Sequence, residues 1–299
     1  MSDRRRLLLI VNPASGQKKI IPLLPEVFAR LSSGGYDVDV KFTLRRGDAA
    51  DYVRTLGLTY DTVACCGGDG TLNECVTGLM TLPEADRPAI GYIPCGSTND
   101  FAASLKLPTD ILAAADRVAS GEPRELDIGG FGDRFFTYVA SFGAFTESSY
   151  STPQSLKNAL GHLAYILDGI KSLGSIRYTE LSATAEGEEF SGKFIFGAVC
   201  NSTSMGGLLK LKSGQVDFAD GLFELMLIRY PESPADLVRI LQALTTSHFE
   251  NVAGISFRHC REASFRLAVP TPWTIDGEFG GKVTEVTVQN LHNVIRMIM

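Results

Sequence analysis

The sequence lacks any apolar stretch near the roughly 20 residues that a membrane-spanning helix requires. Its apolar start, Leu7 to Val11 after Arg4-Arg5-Arg6, is only five residues long. The apolar core of a signal peptide needs about 7–15 residues. We therefore expect a buried first strand rather than a leader, in a cytoplasmic protein.

Positive charge is also scarce, with 28 Lys and Arg against 34 Asp and Glu and a formal net charge of −6. This balance argues against a bulk nucleic-acid binder, although it allows a polyanionic ligand held by backbone amides. None of the six cysteines forms a Cys-x-x-Cys pair, and the four histidines show no metal-ligand spacing. Buried free thiols in a reducing cytoplasm therefore fit best.

What the sequence does contain is an ordinary globular composition, with 44% hydrophobic and 21% charged residues. Its 299 residues are enough for about two domains. Glycine is plentiful, at 30 residues. Extra glycine in a globular chain indicates tight turns and close backbone approaches.

From residue 6 to about 120, short apolar runs alternate with helical patterns. Strands are predicted at Arg6–Val11, Tyr36–Phe42, Thr62–Cys66 and Ala89–Ile93, and helices at Lys19–Leu31, Asp48–Leu56, Thr71–Met80, Asn99–Leu105 and Asp110–Ala119. Such alternation produces right-handed βαβ units. It predicts an α/β domain with a doubly wound, mostly parallel sheet over residues 1–125.

Strands dominate the second half, which predicts an antiparallel β domain, a sandwich or a barrel-like fold, over residues 126–290. The strands are expected at Phe135–Ser141, Arg177–Ala185, Lys193–Asn201, Leu222–Ile228, Ser264–Val269 and Val283–Gln289, the helices at Ser155–Leu173 and Pro234–Leu244, and a hairpin turn at Glu186-Gly187-Glu188. The apolar C-terminal segment, residues 291–299, could return to the first domain.

The strongest local pattern is Gly-Gly-Asp-Gly-Thr-Leu-Asn at residues 67–73, directly after a strand and at the start of a helix. Its glycines let the backbone turn sharply and approach a ligand, and the helix N-terminus attracts anions. A tight turn with Thr71 as the helix N-cap is the alternative. The carboxylate of Asp69 would repel a phosphate unless Mg²⁺ stood between them.

Two further loops follow strands of the same sheet. Residues 94–100, Pro-Cys-Gly-Ser-Thr-Asn-Asp, resemble a Walker loop counted from Gly91, but Ser97 stands where the lysine is required. Residues 12–16, Asn-Pro-Ala-Ser-Gly, precede Lys18 and Lys19. Ligands bind beyond the C-terminal strand ends of a doubly wound sheet, so these loops and Thr43 are expected at one site.

The second half contributes acidic turns. Thr-Ile-Asp-Gly-Glu at residues 274–278 reads either as a solvated turn or as a pair of functional carboxylates. Asp217 and the sequence Asp-Gly-Leu at residues 220–222 could hold a cation or simply lead into a strand. Asp127 stands at the predicted domain boundary.

Together these segments resemble the diacylglycerol kinase catalytic family, in its bacterial lipid-kinase branch. The wider superfamily of that family includes sphingosine, ceramide and NAD kinases. The resemblance covers nearly the whole chain through five motifs in order, Asn12–Gly16, Gly67–Glu74, Pro94–Phe101, Asp220–Leu222 and Asp276–Glu278. Two departures are Cys95-Gly96-Ser97-Thr98, where Leu-Gly-Thr-x is usual, and Thr77, where Asn is common. Neither departure removes a charged group.

The resemblance implies an ATP-dependent kinase that transfers the γ-phosphate of Mg-ATP to a hydroxyl of diacylglycerol or a related lipid. The residues it implies for ATP are Asn12, Ser15, Gly16, Thr43, Gly67, Gly68, Asp69, Gly70, Thr71, Leu72, Asn73, Gly96, Ser97 and Thr98. Asp69 would position a catalytic Mg²⁺, and Glu278 would be the general base, supported by Asp276 and Asp127. A second, structural Mg²⁺ would sit at Asp217, Asp220 and Leu222.

Several alternatives stay open. The acceptor could be phosphatidylglycerol, a sphingoid base or NAD, and a non-catalytic nucleotide- or lipid-binding regulator or a carboxylate-pair hydrolase are rival classes. The lipid substrate implies peripheral membrane contact, for which Lys210 and Lys212 beside the Met205–Leu209 loop are candidates. We expect no nucleic-acid partner, and a homodimer is left open.

Overall fold

The computed structural model describes residues 4–143, 176–205, 209–211, 216–249 and 251–299. The chain forms two compact units, one of Met1–Ile128 with His292–Met299 and one of Gly129–Leu291. The predicted helix Ser155–Leu173 lies outside the described residues, as do Lys212 and residues 206–208 of the predicted membrane patch.

The first unit is an α/β structure. Its elements, up to the strand that leaves it, are β1 (Arg5–Val11), α1 (Ile20–Ser33), β2 (Tyr36–Phe42), α2 (Asp48–Leu56), β3 (Thr62–Gly67), α3 (Asp69–Met80), β4 (Ala89–Pro94), α4 (Asp100–Ser104), α5 (Ile111–Ser120) and β5 (Pro123–Phe131). Every strand and helix predicted before residue 120 is present, with ends within two residues of the prediction. The parallel pairing of β1–β4 confirms the predicted sheet type.

The strand order in this unit is β4-β3-β1-β2. Residues Leu7 to Val11 of β1 are all buried, so both faces of the sheet are covered. Leu7, Leu9 and Val11 belong to a core that also contains residues of α1 and α5. Helices α2 and α3 pack against each other. All six cysteines are buried free thiols, as expected.

The second unit is mainly antiparallel. Its elements are β6 (Arg134–Phe136), β7 (Val139–Gly143), β8 (Thr179–Ala185), β9 (Glu188–Cys200), β10 (Ser204–Met205), β11 (Leu209–Lys210), β12 (Phe223–Arg229), α6 (Pro234–Thr246), β13 (Ile255–Cys260), β14 (Glu262–Ile275) and β15 (Glu278–Ile298), the last of which returns to the first unit. Strand β9 pairs with β7 and β8, and β14 pairs with the same two strands, so the pairing closes on itself.

Aromatic side chains fill the core of this unit. Trp273 is fully buried, and its ring centroid lies 5.0 Å from Phe131, 4.8 Å from Phe142 and 5.2 Å from Phe265. The predicted hairpin turn after Ala185 is confirmed, because Ala185 pairs with Glu188.

One predicted strand is wrong. The run Phe135–Ser141 is not continuous but is divided into β6 and β7. The amides of Thr137 and Tyr138 lie in the break and donate to the carboxylate of Asp276 instead of to a neighbouring strand. A strand pattern cannot reveal that donors are taken by a side chain 139 residues away.

Four strands were not predicted, β5, β10, β11 and β13, and three were predicted too short, β9, β14 and β15. Strand β5 begins with the polar residues Pro123, Arg124 and Glu125, and the middle of β13 is exposed, so neither shows an apolar run. Strands β14 and β15 extend to 14 and 21 residues. The predicted ranges stop short of the C-terminal ends of both strands, where Trp273, Ile275, Ile295 and Met297 are buried, so the period-two pattern located only part of each strand.

The end of β15 belongs to the first unit. Met297 pairs in parallel with Ile90 of β4, and the amide of Met299 donates to the carbonyl oxygen of Glu122 at 3.1 Å. The guanidinium of Arg87 also donates to the carbonyl oxygen of Val294 at 2.7 Å. Among the described helices, none is both long and apolar enough to cross a membrane.

Candidate active site

The carboxyl ends of β1–β4 lie at one edge of the parallel sheet, where four loops begin side by side. Backbone hydrogen bonds continue the ladder beyond the strands, from the amide of Thr43 to the carbonyl of Val11 at 2.9 Å, from Asn12 to Cys66 at 2.9 Å and from Cys95 to Gly67 at 2.7 Å. The predicted nucleotide residues of the first unit are therefore brought together at this edge, as expected for a ligand site of a doubly wound sheet.

Three of these loops touch backbone to backbone, which requires glycine. A Cβ atom on Gly16, whose φ is +52°, would lie 1.7 Å from the carbonyl oxygen of Cys95. A Cβ on Gly96 would lie 2.8 Å from the Cα of Gly68. No other residue fits at either position, so the loops after β1, β3 and β4 form one closely packed backbone surface.

The glycine-rich turn leads into α3 two residues earlier than predicted, at Asp69. Its N-cap residue is Gly68, which has no side chain to satisfy the first amides of the helix. Thr71 is therefore inside the helix rather than at its cap, and its hydroxyl accepts from the side-chain amide of Asn12 at 3.0 Å. The uncapped N-terminus of a 12-residue helix is suited to an anionic group.

Asp69 is only 8% exposed, and both of its carboxylate oxygens accept hydrogen bonds. The hydroxyl of Tyr92 donates to Oδ1 at 3.3 Å, and the amide of Asp100 donates to Oδ2 at 3.1 Å. Burial, followed by the charge of Asp69, raises the pKa of Tyr92 well above its usual value. The phenol therefore stays protonated and donates to Asp69 at any ordinary pH.

Tyr92 and Asn99 support the site. The sequence did not point to Tyr92, and it included Asn99 only as part of the loop of residues 94–100, without a role of its own. Asn99 has a left-handed conformation, with φ of +52°, and its Oδ1 accepts from the amide of Gly96 at 2.9 Å. Its Nδ2 donates to the carbonyl of Gly96 at 3.1 Å. This double contact turns the loop so that Ser97 and Thr98 are exposed. A lone polar residue in the apolar strand β4 was the available signal for Tyr92.

Asp69 fits a magnesium ion of the kind held mainly by a nucleotide. Among the residues that the structure describes, no three His, Cys, Asp or Glu side chains cluster as a ready-made metal site. Mg²⁺ is usually bound through one or two carboxylates together with substrate phosphates and water. A single carboxylate beside the first amides of α3 matches that mode.

In the second unit, Asp276 and Gly277 form the two-residue turn between β14 and β15. Both have positive φ, +47° and +79°, as in the hairpin turns that Asp-Gly favours. The carboxylate of Asp276 accepts from the amides of Thr137, Tyr138 and Val139 at 2.7, 3.0 and 3.1 Å and from the hydroxyl of Thr137 at 2.8 Å. Burial raises the pKa of Asp276, and these donors oppose the increase.

Glu278 is exposed at the start of β15 and pairs with Ile275 across the turn. The two carboxylates of the Asp-Gly-Glu segment are therefore different in kind. Asp276 anchors the turn to the residues between β6 and β7, whereas Glu278 is presented to solvent. Of the two, only Glu278 has the access that proton transfer to or from a substrate requires.

The predicted second metal site has two acids that are partly engaged in local turns. Asp217 accepts from the amide of Ala219 at 3.1 Å, and Asp220 accepts from the amide of Leu222 at 2.9 Å. The carbonyl of Leu222 accepts from the side chain of Asn290 at 3.2 Å. Each carboxylate keeps lone pairs for a cation, and the metal assignment stays a prediction.

Asp127, in β5, is 1% exposed and belongs to the first unit. Its Oδ1 accepts from the amide of Asn293 at 2.9 Å and lies 2.9 Å from Nδ1 of His292. The carboxylate thus joins β5 to the end of β15. The predicted support of the base or the metal by Asp127 is not tested by these contacts.

Comparison with known proteins places this arrangement among kinases. Residues 6–131 match the model of the diacylglycerol kinase catalytic domain. The chain is 34% identical over 297 residues to a diacylglycerol kinase of Bacillus subtilis strain 168, covering 99% of this chain and 96% of that protein. It is 32% identical over 282 residues to a diacylglycerol kinase of Staphylococcus saprophyticus, covering 94% and 91%.

The fold agrees with this result. The crystal structure of a diacylglycerol kinase from Bacillus anthracis str. Sterne matches with a TM-score of 0.76 and 21% identity, over 100% of this chain and 98% of that one. The protein is thus an enzyme of the kinase class, which transfers phosphate to a hydroxyl acceptor. More particularly, the chain belongs to the diacylglycerol kinase family.

Proposed function

We propose that this protein transfers the γ-phosphate of Mg-ATP to the free hydroxyl of a diacylglycerol, producing a phosphatidic acid. The observation that carries this proposal is the set of loops joined at the carboxyl edge of β1–β4, with the uncapped start of α3 beside Asp69. Phosphoryl transfer needs mainly positioning and charge neutralisation, which backbone amides and Mg²⁺ supply. Two curated relatives that span nearly the whole chain are called diacylglycerol kinases.

The main predicted residues each have a task in this proposal. ATP would lie over the loop of residues 67–73, where the first amides of α3 and those of Ser97 and Thr98 would hold the phosphates, and Asp69 would bind Mg²⁺ together with them. Glu278 would accept the proton of the acceptor hydroxyl, while Asp276 keeps the turn that carries Glu278 in place. Asp217, Asp220 and the carbonyl of Leu222 would hold a second, structural Mg²⁺.

The finer organisation is part of the proposal. Residues 1–125, with residues 291–299, would bind the nucleotide, and the barrel-like residues 126–290 would bind the acceptor. The acceptor lies in a membrane, so peripheral contact with the bilayer follows from the proposed reaction. With a net charge of −6, attraction to an anionic bilayer would have to be local. No nucleic acid is involved, and a homodimer is compatible with the reaction.

A substrate panel tests the proposal. The purified protein is incubated with Mg²⁺ and ATP labelled in the γ-phosphate, and with diacylglycerol, phosphatidylglycerol, a sphingoid base or NAD in separate reactions. We expect label in phosphatidic acid, and none in that reaction with Asp69→Ala. Preferential labelling of another acceptor would replace diacylglycerol as the substrate. Absence of transfer to all four, with intact ATP binding, would favour a regulator.

A further inference from the structure

Helix α3 carries two carboxylates that each hold the beginning of another helix. Asp69, at its first residue, accepts from the amide of Asp100 at the start of α4. Glu74, five residues later, accepts from the amide of Gly47 at 2.9 Å through Oε1 and from that of Ala49 at 3.2 Å through Oε2. The helix that begins at the glycine-rich turn thereby fixes the loops on both of its sides.

Glu74 supplies the hydrogen-bond acceptors that the N-terminus of α2 lacks among its neighbouring residues. The N-cap residue of α2 is Gly47, with φ of +90° and no side chain to accept from the first amides. These amides have no partner within a helix and need one elsewhere. Glu74 is half-buried and provides both acceptors from a position 27 residues later in the chain.

Asp48, at the start of α2, holds the preceding loop through two further hydrogen bonds. Its Oδ2 accepts from the amides of Leu44 at 2.8 Å and Arg45 at 3.0 Å. The amide of Thr43 is meanwhile bonded to the carbonyl of Val11 in β1. The loop of residues 43–48 is thus fixed at one end by the sheet and at the other by Glu74.

We propose that Glu74 is a positioning residue for nucleotide binding, because it holds the loop of residues 43–48 in the conformation that places Thr43 beside the nucleotide. This inference rests on the proposed function, in which Thr43 borders ATP. Glu74 acts through the loop and does not touch the substrate. Its loss lowers the population of the competent loop, and the apparent affinity for ATP decreases by the same fraction.

The scaffold around Glu74 should survive its replacement. A Cβ atom on Gly78 of α3 would lie 2.7 Å from the carbonyl oxygen of Ala50 and 2.7 Å from Cβ of Val53, so α2 and α3 are in backbone contact one turn further on. That contact does not involve Glu74. We therefore expect Glu74→Ala to loosen the loop while α2 stays packed on α3.

The test compares Glu74→Ala, Glu74→Gln and a matched control. Asp61 also accepts from a backbone amide of the same unit, that of Arg6 at 2.7 Å, but at the amino ends of β1 and β3. Asp61→Ala thus removes a similar bond from the opposite edge of the sheet. Binding of Mg-ATP is measured by calorimetry, and kcat and KM are measured for ATP and for diacylglycerol.

We expect Glu74→Ala to raise the Kd and KM for ATP about tenfold, which corresponds to a tenfold loss of competent loop. The KM for diacylglycerol and kcat should change less than twofold. Glu74→Gln, which keeps one acceptor oxygen, should have an intermediate effect, and Asp61→Ala none. Amide hydrogen exchange at residues 43–49 should accelerate most in Glu74→Ala, less in Glu74→Gln, and not in Asp61→Ala.

The outcomes separate the two claims. If the wild-type protein does not bind Mg-ATP, the proposed function fails and this inference fails with it. If the wild type binds ATP but both Glu74 variants bind it equally well, only the positioning role is overturned. It is also overturned if Asp61→Ala raises the KM for ATP as much as Glu74→Ala. Should Glu74→Ala not fold, Glu74→Gln decides.

Discussion

The acidic residues with predicted roles differ in how their carboxylate oxygens are used. Those of Asp69 accept from Tyr92 and Asp100, and those of Asp276 accept from three amides and a hydroxyl. Glu278, by contrast, is exposed. A buried acid that accepts from fixed donors is held in one place, as a metal ligand or an anchor requires, whereas an exposed acid can exchange a proton with a substrate. At the residue scale, burial therefore separates Asp69 and Asp276 from the proposed base, Glu278.

Replacement of Glu278 tests the proposed base. Glu278→Gln should lower kcat for diacylglycerol about 10²–10⁴-fold, the typical contribution of a general base, because the amide cannot accept the proton. The affinity for Mg-ATP should not change. Glu285→Gln is the control, since Glu285 is another exposed acid of β15. Near-normal turnover of Glu278→Gln in the labelled-ATP assay would exclude Glu278 as the base.

Glu224 makes stability depend on pH. Glu224 lies in β12 and is 1% exposed, and its Oε2 is 3.9 Å from the thiol of Cys200. Burial raises the pKa of Glu224 from 4.5 to about 9. Between these values the folded protein holds a proton that the unfolded chain has lost. Stability from this group is therefore complete below pH 4.5 and declines as the pH rises toward 9.

Glu224→Gln should remove this dependence, because glutamine does not ionise. The experiment is done with a metal chelator in the buffer. The difference in unfolding free energy, variant minus wild type, should be larger at pH 8 than at pH 5 by about 1 kcal/mol or more, because one pKa unit corresponds to about 1.4 kcal/mol. Urea unfolding at the two pH values measures this difference. Glu262→Gln, at an exposed position, should show none. If Glu224→Gln and wild type differ in unfolding free energy by the same amount at both pH values, the raised pKa of Glu224 is contradicted.

At the scale of elements, two hairpin turns of the second unit have the same backbone conformation, but only one of them is expected to affect catalysis. Glu186-Gly187 connects β8 and β9, and Asp276-Gly277 connects β14 and β15. The glycine φ angles are +80° and +79°. Only the second turn is tied to another element through a buried carboxylate and followed by the proposed base.

Replacing the glycine of each turn by alanine distinguishes an effect on stability from an effect on catalysis. Gly187→Ala and Gly277→Ala should each destabilise the protein by about 1–2 kcal/mol, since an L-residue is strained in a left-handed conformation. Only Gly277→Ala should also lower kcat, because relaxation of its turn displaces Glu278. Thermal unfolding and the kinase assay provide the two measurements. Equal losses of kcat in both variants would show that the turn does not position Glu278.

The elements also show where sequence patterns succeed. The strongly periodic segments of the first unit, such as Tyr36–Phe42 and Asp48–Leu56, have the predicted bounds. The pattern fails at Thr137 and Tyr138, where a distant carboxylate takes the backbone donors. It also fails in β13, whose middle is exposed. Periodicity reports burial, so it cannot detect a strand end defined by hydrogen bonds or a strand that buries little.

At the scale of the whole molecule, the chain enters the second unit within β5 and returns within β15. The last residues are consequently part of the first unit. Met297 is fully buried and pairs with Ile90, and the amide of Met299 bonds to Glu122. The stability of the first unit should thus depend on residues 292–299, which lie far from the rest of that unit in the sequence.

Met297→Ala tests this dependence. Loss of a buried methionine side chain should cost about 2–5 kcal/mol, and amide exchange should accelerate in β1, β3 and β4. Met226→Ala is the matched control, because Met226 is equally buried but lies in β12 of the other unit. Faster exchange confined to Gly129–Leu291 in Met297→Ala would contradict the assignment of the C-terminal residues.

The sequence by itself determined the alternation of strands and helices in the first unit, the glycine-rich turns and the resemblance to diacylglycerol kinases. These are local patterns of burial and backbone freedom, which neighbouring residues specify. The tertiary structure alone decided that Tyr92 and Asn99 support the site, that Asp276 anchors a turn while Glu278 is exposed, and that Glu74 holds the start of α2. Hydrogen bonds between residues far apart in the chain depend on how the elements pack, and no local pattern records them.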